Sequence, residues 1–338
     1  MKALVCSEPG QFYYTNKEKP ELKKECSILK IKRIGICGTD LHAYEGTQPF
    51  FSYPRILGHE LSGELVEADG ATGFKIGESV TFIPYFNCGR CIACRNNKPN
   101  CCTRIKVCGV HIDGGMAEYL LVPSSSLIHG EGLSFDELAL VEPLAIGAHG
   151  VRRANITHGE FVLVIGAGPI GLGSLAFAGI AGAQVIVMDI NDDRLRFCRE
   201  EFKIKHTINA LNDDVTEALM KITNGSMPTV VIDATGNQKA INGAFQYMAH
   251  GARFVRIGLQ KGDISFAHPE FHKREATLMS SRNATRADFE QVIAAMKSGL
   301  VNPKTYITHR TKFDEMAHEF ENWLDPKNGV IKVMIEVD

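Results

Sequence analysis

No sign of charge dominates this sequence. Its 37 Lys and Arg stand against 39 Asp and Glu, a formal charge of -2, so there is no global basic field to hold a nucleic acid. Also missing is any uninterrupted apolar run of about eighteen residues, the length a membrane-spanning helix needs. The longest apolar and glycine-rich stretch, Phe161 to Ala183, is broken by Pro169 and Ser174. The first residues, Met1-Lys2-Ala3-Leu4-Val5, run at once into Glu8-Pro9-Gly10 and fit no signal peptide. Internal repeats and low-complexity linkers are lacking too. A soluble cytoplasmic protein with neither membrane nor nucleic acid as partner is the expectation.

Core-forming material is plentiful. Of 338 residues, 44% are hydrophobic and 22% charged, which excludes a mainly disordered chain and suits about two domains. Cysteine is abundant, at ten residues, and uneven: Cys88, Cys91, Cys94, Cys101 and Cys102 lie together, while Cys6, Cys26, Cys37, Cys108 and Cys198 are scattered. Disulfide frameworks belong mostly to short secreted chains, so this clustering points to metal.

The pattern changes near residue 150. Before it, short β-branched runs cut by Gly, Pro and Asn (Ser27–Ile34, Leu61–Glu67, Ser79–Ile83, Glu118–Val122) read as strands of an irregular β region. After it, apolar strands at Phe161–Ile165, Gln184–Met188, Thr229–Asp233 and Arg253–Ile257 alternate with helical stretches at Pro169–Ala181, Asp192–Phe202, Asp213–Thr223 and Gln238–Met248. That alternation predicts an α/β, doubly wound parallel sheet. From about Ser280 it stops. A helix over Ala287–Ser298, a second over Asp314–Trp323 and a strand over Val330–Val337 make a tail too short for its own domain. The tail is expected to return and complete the N-terminal region. The charged run Lys17–Lys24 reads as a solvated loop.

The first strand of the second half runs directly into Gly166-Ala167-Gly168-Pro169-Ile170-Gly171, and the next strand ends in Asp189. Gly166 permits a tight turn, Gly168 lets the backbone approach a pyrophosphate, and Gly171 lets the helix pack on the sheet. With Pro169 and Ile170 in the first turn, that helix offers free N–H groups to phosphate oxygens. Asp189 is expected to accept from the adenosine ribose hydroxyls and to repel a 2′-phosphate, which favours NAD over NADP. Arg194 is expected over the adenine or ribose edge.

Cys88, Cys91 and Cys94, with Cys101 or Cys102 as the fourth thiolate, can close a tetrahedral shell around zinc that leaves no open position. Spacing alone does not choose between the two neighbours. A second, dispersed set is Cys37 in Gly-Ile-Cys-Gly-Thr-Asp, His59 in Gly-His-Glu, and Glu142 in Val-Glu-Pro-Leu. Three ligands with an exchangeable fourth position suit catalytic zinc, but spacing cannot join residues so far apart.

In order along the chain, GICGTD, GHE, the cysteine loop and strand-GAGPIG resemble the zinc-dependent medium-chain dehydrogenases, in particular their sorbitol- and threonine-dehydrogenase-like branch. The resemblance covers essentially the whole chain. It implies a GroES-like catalytic domain at 1–148 with a structural zinc lobe at about 86–104, a Rossmann NAD-binding domain at 149–281, and a return segment at 282–338. It also implies two zinc ions per subunit: a structural one on Cys88, Cys91, Cys94 and Cys102, and a catalytic one on Cys37, His59 and Glu142, with Glu60 as alternate ligand. Thr39 would hydrogen-bond the reacting oxygen and His42 would stand at the outer end of a proton relay, while a homo-oligomer, dimer or tetramer, is expected.

Polar segments at Ser52–Arg55, Val110–Gly115, Pro269–Arg274 and Ser280–Asn283 further resemble bacterial L-galactonate and L-gulonate 5-dehydrogenases, which oxidise a sugar-acid hydroxyl. A substrate carboxylate calls for a cation. Arg282 is the first candidate by resemblance to sorbitol dehydrogenases, followed by Arg55, His111 and Lys273. The alternatives are a polyol or L-threonine dehydrogenase and, more distantly, a zinc-ribbon module for nucleic acid. The cysteines are too close for paired knuckles, and Arg90, Arg95, Lys98, Arg104 and Lys106 make only a local basic cluster.

Overall fold

A computed structural model describes residues 1–48, 51–71 and 73–338. The chain forms two compact units, residues 1–143 with 285–338, and residues 144–284. The first cut falls within the helix Val141–Ala154, five residues before the sequence-based boundary. The second falls three residues after it.

The 144–284 unit is a six-stranded, all-parallel sheet. Its order is His206–Asn209, Gln184–Asp189, Phe161–Ile165, Val230–Asp233, Arg253–Arg256, Thr277–Ser280. Numbered along the unit this is 3-2-1-4-5-6, the doubly wound arrangement whose direction reverses between the first and fourth strands. Val/Ile-rich strands suit it because both faces are covered: every residue of Val230–Asp233 is buried. Side-chain caps set the helix starts. Asn191 accepts from Asp193 and Arg194 N–H ahead of Asp192–Glu201, and Asp214 accepts from Glu217 N–H, which moves the next helix to Val215–Ile222. The stretch expected to be helical to Met248 stops at Ala244 and tightens into a 3-10 turn, Phe245–Tyr247.

In the other unit a seven-stranded, largely antiparallel sheet runs Ile307–Lys312, Lys332–Glu336, Cys26–Gly35, Glu60–Ala68, Ser79–Phe82, Leu127–His129, with Tyr119–Pro123 also paired to Cys26–Gly35. The tail supplies two strands, and Met334 pairs opposite Gly35. Inside lies a continuous apolar cluster that includes Leu29, Ile31, Ile34, Leu57, Leu61, Phe82 and Ile335. The single helix expected over Asp314–Trp323 is instead three short turns, Phe313–Glu315, Met316–Glu319 and Phe320–Trp323. They keep Phe313, Met316, Phe320 and Trp323 in this core, with the Phe320 ring 4.8 Å from Phe12 and 5.1 Å from Tyr44. An N-terminal hairpin, Lys2–Glu8 with Gln11–Asn16, went unforeseen. No helix among the described residues is long and apolar enough to cross a membrane.

Candidate metal centre and nucleotide cradle

Strand Cys26–Gly35 ends just before Cys37, which sits at the start of the short helix Gly38–Tyr44. From that helix the Asp40 carboxylate turns back. It accepts the Cys37 N–H at 3.0 Å and the Gly58 N–H at 3.1 Å, and lies 3.8 Å from His59 Nδ1. Two loops that carry candidate ligands are thus pinned by one buried side chain. His59 leads into strand Glu60–Ala68, and Cys37, His59 and Glu60 bring one ligand atom each within 4.8 Å of one another. Sulfur, imidazole nitrogen and carboxylate oxygen together are a donor set that suits zinc. His59 Nδ1 is buried and has no hydrogen-bond partner among the described residues, so this ring nitrogen is left for a ligand such as a metal ion to satisfy.

Glu60 is fully buried against Lys332, whose Nζ lies 2.6 and 2.5 Å from the two carboxylate oxygens and 2.9 Å from the Ile36 carbonyl. Room for this comes from Gly35, where a Cβ would stand 2.4 Å from Glu60 Oε2. Glu142, in the first turn of Val141–Ala154, is also buried but lies outside the three-residue group; its carboxylate accepts from the Tyr85 hydroxyl.

The charges of the polypeptide itself bias these groups. Burial pushes the Glu142 carboxyl up to about 7, helped by Glu60 and opposed by His59 and the Tyr85 hydroxyl. Burial would lower His59, but the neighbouring Cys37 and Asp40 win and hold the imidazole well above its ordinary value. Burial, then Glu142, lifts the Tyr85 phenol far up, so it remains a donor. Burial would lower the Lys332 ammonium, but Glu60, Cys37 and Glu142 together outweigh burial and raise it, so Lys332 stays charged. Thr39 is half-buried, and His42, on the same short helix, is exposed with Nδ1 within 3.3 Å of Glu45 and 3.2 Å of Thr47.

In the cysteine lobe, Cys88, Cys91, Cys94 and Cys102 bring their sulfurs within 4.8 Å of one another, and Cys101 faces solvent. Cys102 Sγ accepts the N–H groups of Cys88 and Arg104, each at 3.3 Å. The Arg90 N–H brings the Cys88 thiol down to about 7, and the Cys94 and Thr103 N–H groups bring Cys91 down to about 5. Burial pushes the Cys102 thiol the other way, yet four closely spaced sulfurs, two of them biased toward the thiolate, fit zinc and leave no open position.

The nucleotide cradle lies in the other unit. Gly166 has φ +96, and a Cβ there would meet Thr235 at 2.9 Å. At Gly171 a Cβ would stand 1.8 Å from the Gly166 carbonyl oxygen, whereas at Gly168 it would meet nothing within 4 Å. Helix Pro169–Ile180 has no side-chain cap. This open, uncapped N-terminus is a place where phosphate oxygens fit. Asp189 is buried at the end of its strand and accepts the Ala167 N–H at 2.6 Å and the Asn191 N–H at 2.9 Å. Arg194 lies half-buried in the first turn of the following helix.

The substrate candidates are scattered. Arg55 is tied to Asp113 at 3.4 Å and Ser52 at 3.0 Å, and His111 Nδ1 accepts the Val107 N–H. Lys273 pairs with Glu270 at 2.7 Å. Arg282 is exposed, two residues past the carboxyl end of the sixth parallel strand. Tyr85 and Lys332 escaped the sequence reading. Lys332 did leave a signal, as the one charge inside the apolar run Val330–Ile335.

The family described as the alcohol dehydrogenase GroES-like domain matches residues 23–131, and the zinc-binding dehydrogenase family matches residues 169–298. The chain is 43% identical over 336 residues to L-galactonate-5-dehydrogenase of Escherichia coli K12, covering 99% of this chain and 98% of that one. It is 33% identical to a sorbitol dehydrogenase of Halalkalibacterium halodurans over 95% and 96% of the two chains. The crystal structure of an alcohol dehydrogenase from Escherichia coli CFT073 complexed with NADH matches with a TM-score of 0.90, at 31% identity and over 99% of each chain.

Proposed function

Because the chain belongs to the zinc-type medium-chain alcohol dehydrogenases, we propose that it oxidises a secondary hydroxyl of a sugar acid, L-galactonate or L-gulonate at C5, to a ketone, with NAD as oxidant. The identity of 43% to an L-galactonate-5-dehydrogenase along essentially the whole chain carries this reading. Cys37, His59 and Glu60 would hold the catalytic zinc, with Glu142 adjacent, and Cys88, Cys91, Cys94 and Cys102 the structural one. Zinc at the first set supplies a Lewis acid that makes an alcohol hydroxyl more acidic.

The remaining work falls to the polypeptide. Asp40 pins the Cys37 and Gly58 turns through their N–H groups and places a negative charge beside His59, and Lys332 balances the Glu60 charge. Thr39 holds the reacting hydroxyl as it loses its proton, and exposed His42 passes that proton to water. The turn from Gly166 to Gly171, with Pro169 and Ile170, receives the pyrophosphate. The Asp189 oxygens keep lone pairs for the ribose hydroxyls beyond their two backbone bonds, and Arg194 lies beside the adenosine end. Arg282, an exposed guanidinium whose fork suits a carboxylate, is the candidate to bind the substrate carboxylate. The exposed edge strand Thr277–Ser280 supports a homo-oligomer, and ten unpaired cysteines support a reducing cytoplasm.

The test is NADH formation across L-galactonate, L-gulonate, sorbitol, xylitol and L-threonine, with NADP in parallel. Turnover of the aldonates with NAD, and a KM raised by Arg282→Ala for aldonates alone, is expected. Activity confined to polyols or threonine would overturn the sugar-acid reading and leave the family chemistry standing.

A further inference from the structure

Two buried carboxylates, Glu60 and Glu142, neighbour His59, yet only Glu60 brings an oxygen within 4.8 Å of the other two ligand atoms. Their partners differ. Glu60 is held by Lys332, a flexible ammonium, in a space that Gly35 leaves open. Glu142 is held by the phenol of Tyr85. Tyr85 is buried, meets Phe289 edge-on at 6.4 Å, and belongs to the two-stranded ladder Tyr85–Phe86 with Lys106–Val107. A ring with two torsions, packed in this way, cannot follow a carboxylate that swings toward the cluster.

We propose that Tyr85 is a positioning residue: its hydroxyl ties Glu142 back, and this makes Glu60 the carboxylate that joins Cys37 and His59. The inference rests on the reading that these residues hold the catalytic metal. Without the hydroxyl, a buried carboxylate loses a hydrogen bond that it cannot leave unmade cheaply. The metal is the replacement partner at hand, so Tyr85→Phe admits Glu142 as an added ligand.

Cobalt(II) exchanged into the catalytic site of the holoenzyme reads this without turnover, since its visible d–d bands weaken as coordination number rises and a thiolate charge-transfer band marks Cys37. Tyr85→Phe is expected to weaken the d–d bands and to slow cobalt release to a chelator about fivefold or more. Tyr85→Phe/Glu142→Gln should restore the wild-type spectrum and release rate. A Tyr85→Phe spectrum identical to wild type, or a change that persists in the double variant, overturns the proposal. Glu142→Gln alone keeps Tyr85 and covers the case in which Tyr85→Phe does not fold: its spectrum should equal wild type, and an altered one means that Glu142 already ligates, which also overturns it. Cys37→Ser separates the two levels. Loss of the charge-transfer band leaves only Tyr85 on trial, whereas its persistence removes the metal reading and the inference with it.

Discussion

Lys332 and Glu60 form a buried ion pair across two strands that are not neighbours, with Nζ within 2.6 Å of both carboxylate oxygens. Strand Cys26–Gly35 lies between them, so the lysine reaches past Gly35, where a side chain would collide with Glu60. Removing one partner of such a pair strands the other charge, at a cost of about 3–5 kcal/mol. Lys332→Met should therefore lower the unfolding free energy of metal-free protein by that order, read as a lower urea midpoint. The sign with pH follows from the raised Lys332 pKa: its contribution is complete below the unfolded lysine value and is lost only in alkali, as pH rises through the folded value. Equal midpoints for variant and wild type at pH 7 would refute it.

Glu160 is the acid-side counterpart in the nucleotide unit. Burial would raise its carboxyl, but the Thr157 N–H, Arg253 and Thr229 hold it down to about 2. A depressed folded pKa gives stability that is present above the unfolded value and lost as pH falls toward the folded one. Glu160→Gln should thus destabilise by about 1.5–3 kcal/mol at pH 7, the usual worth of hydrogen bonds to a charge. The gap from wild type should narrow between pH 4.5 and about 2. Thermal unfolding at pH 7, 4 and 3 checks this, and a constant gap would contradict it.

Two glycines of the nucleotide turn should fail differently. Gly171→Ala drives a Cβ against the Gly166 carbonyl, so a loss of about 2 kcal/mol or more in stability is expected. Gly168→Ala adds a Cβ that meets no atom of the described residues within 4 Å. It should fold with an unchanged Tm but bind NADH about tenfold or more weakly, because the methyl fills the space a pyrophosphate needs. NADH fluorescence titration beside a melting curve separates the outcomes.

For the cysteine lobe, burial and N–H donors distinguish the neighbours that spacing left equal. Cys102→Ser should cost one zinc per chain by elemental analysis and open the 88–104 loop to limited proteolysis. Cys101→Ser should retain full zinc content, since its thiol faces solvent. Loss of metal in both variants would mean that the fourth ligand is shared.

What the sequence made legible was local. The glycine turn and cysteine lobe are continuous strings whose spacing implies their geometry, and strand–helix alternation with Val/Ile runs leads to the parallel sheet. The dispersed cluster was legible only as a resemblance, because Cys37 meets His59 and Glu60 through tertiary pairing. Lys332, separated from Glu60 by 272 residues, and Tyr85, just ahead of Cys88, carry no ligand signature at all. The broken 313–323 segment misled for a related reason: its apolar spacing fits a helix, while packing against Phe12 and Tyr44 decides the backbone.

The strand that carries Lys332 also orders events during synthesis. Ribosomes deliver Cys37, His59 and Glu60 early, then all of residues 144–284, and only afterwards the lysine that neutralises Glu60. At about 5–20 residues per second the wait is on the order of tens of seconds, long enough for the parallel-sheet unit to fold while the first unit lacks two of its strands. A nascent chain therefore carries a cradle for its nucleotide before it carries a finished cluster.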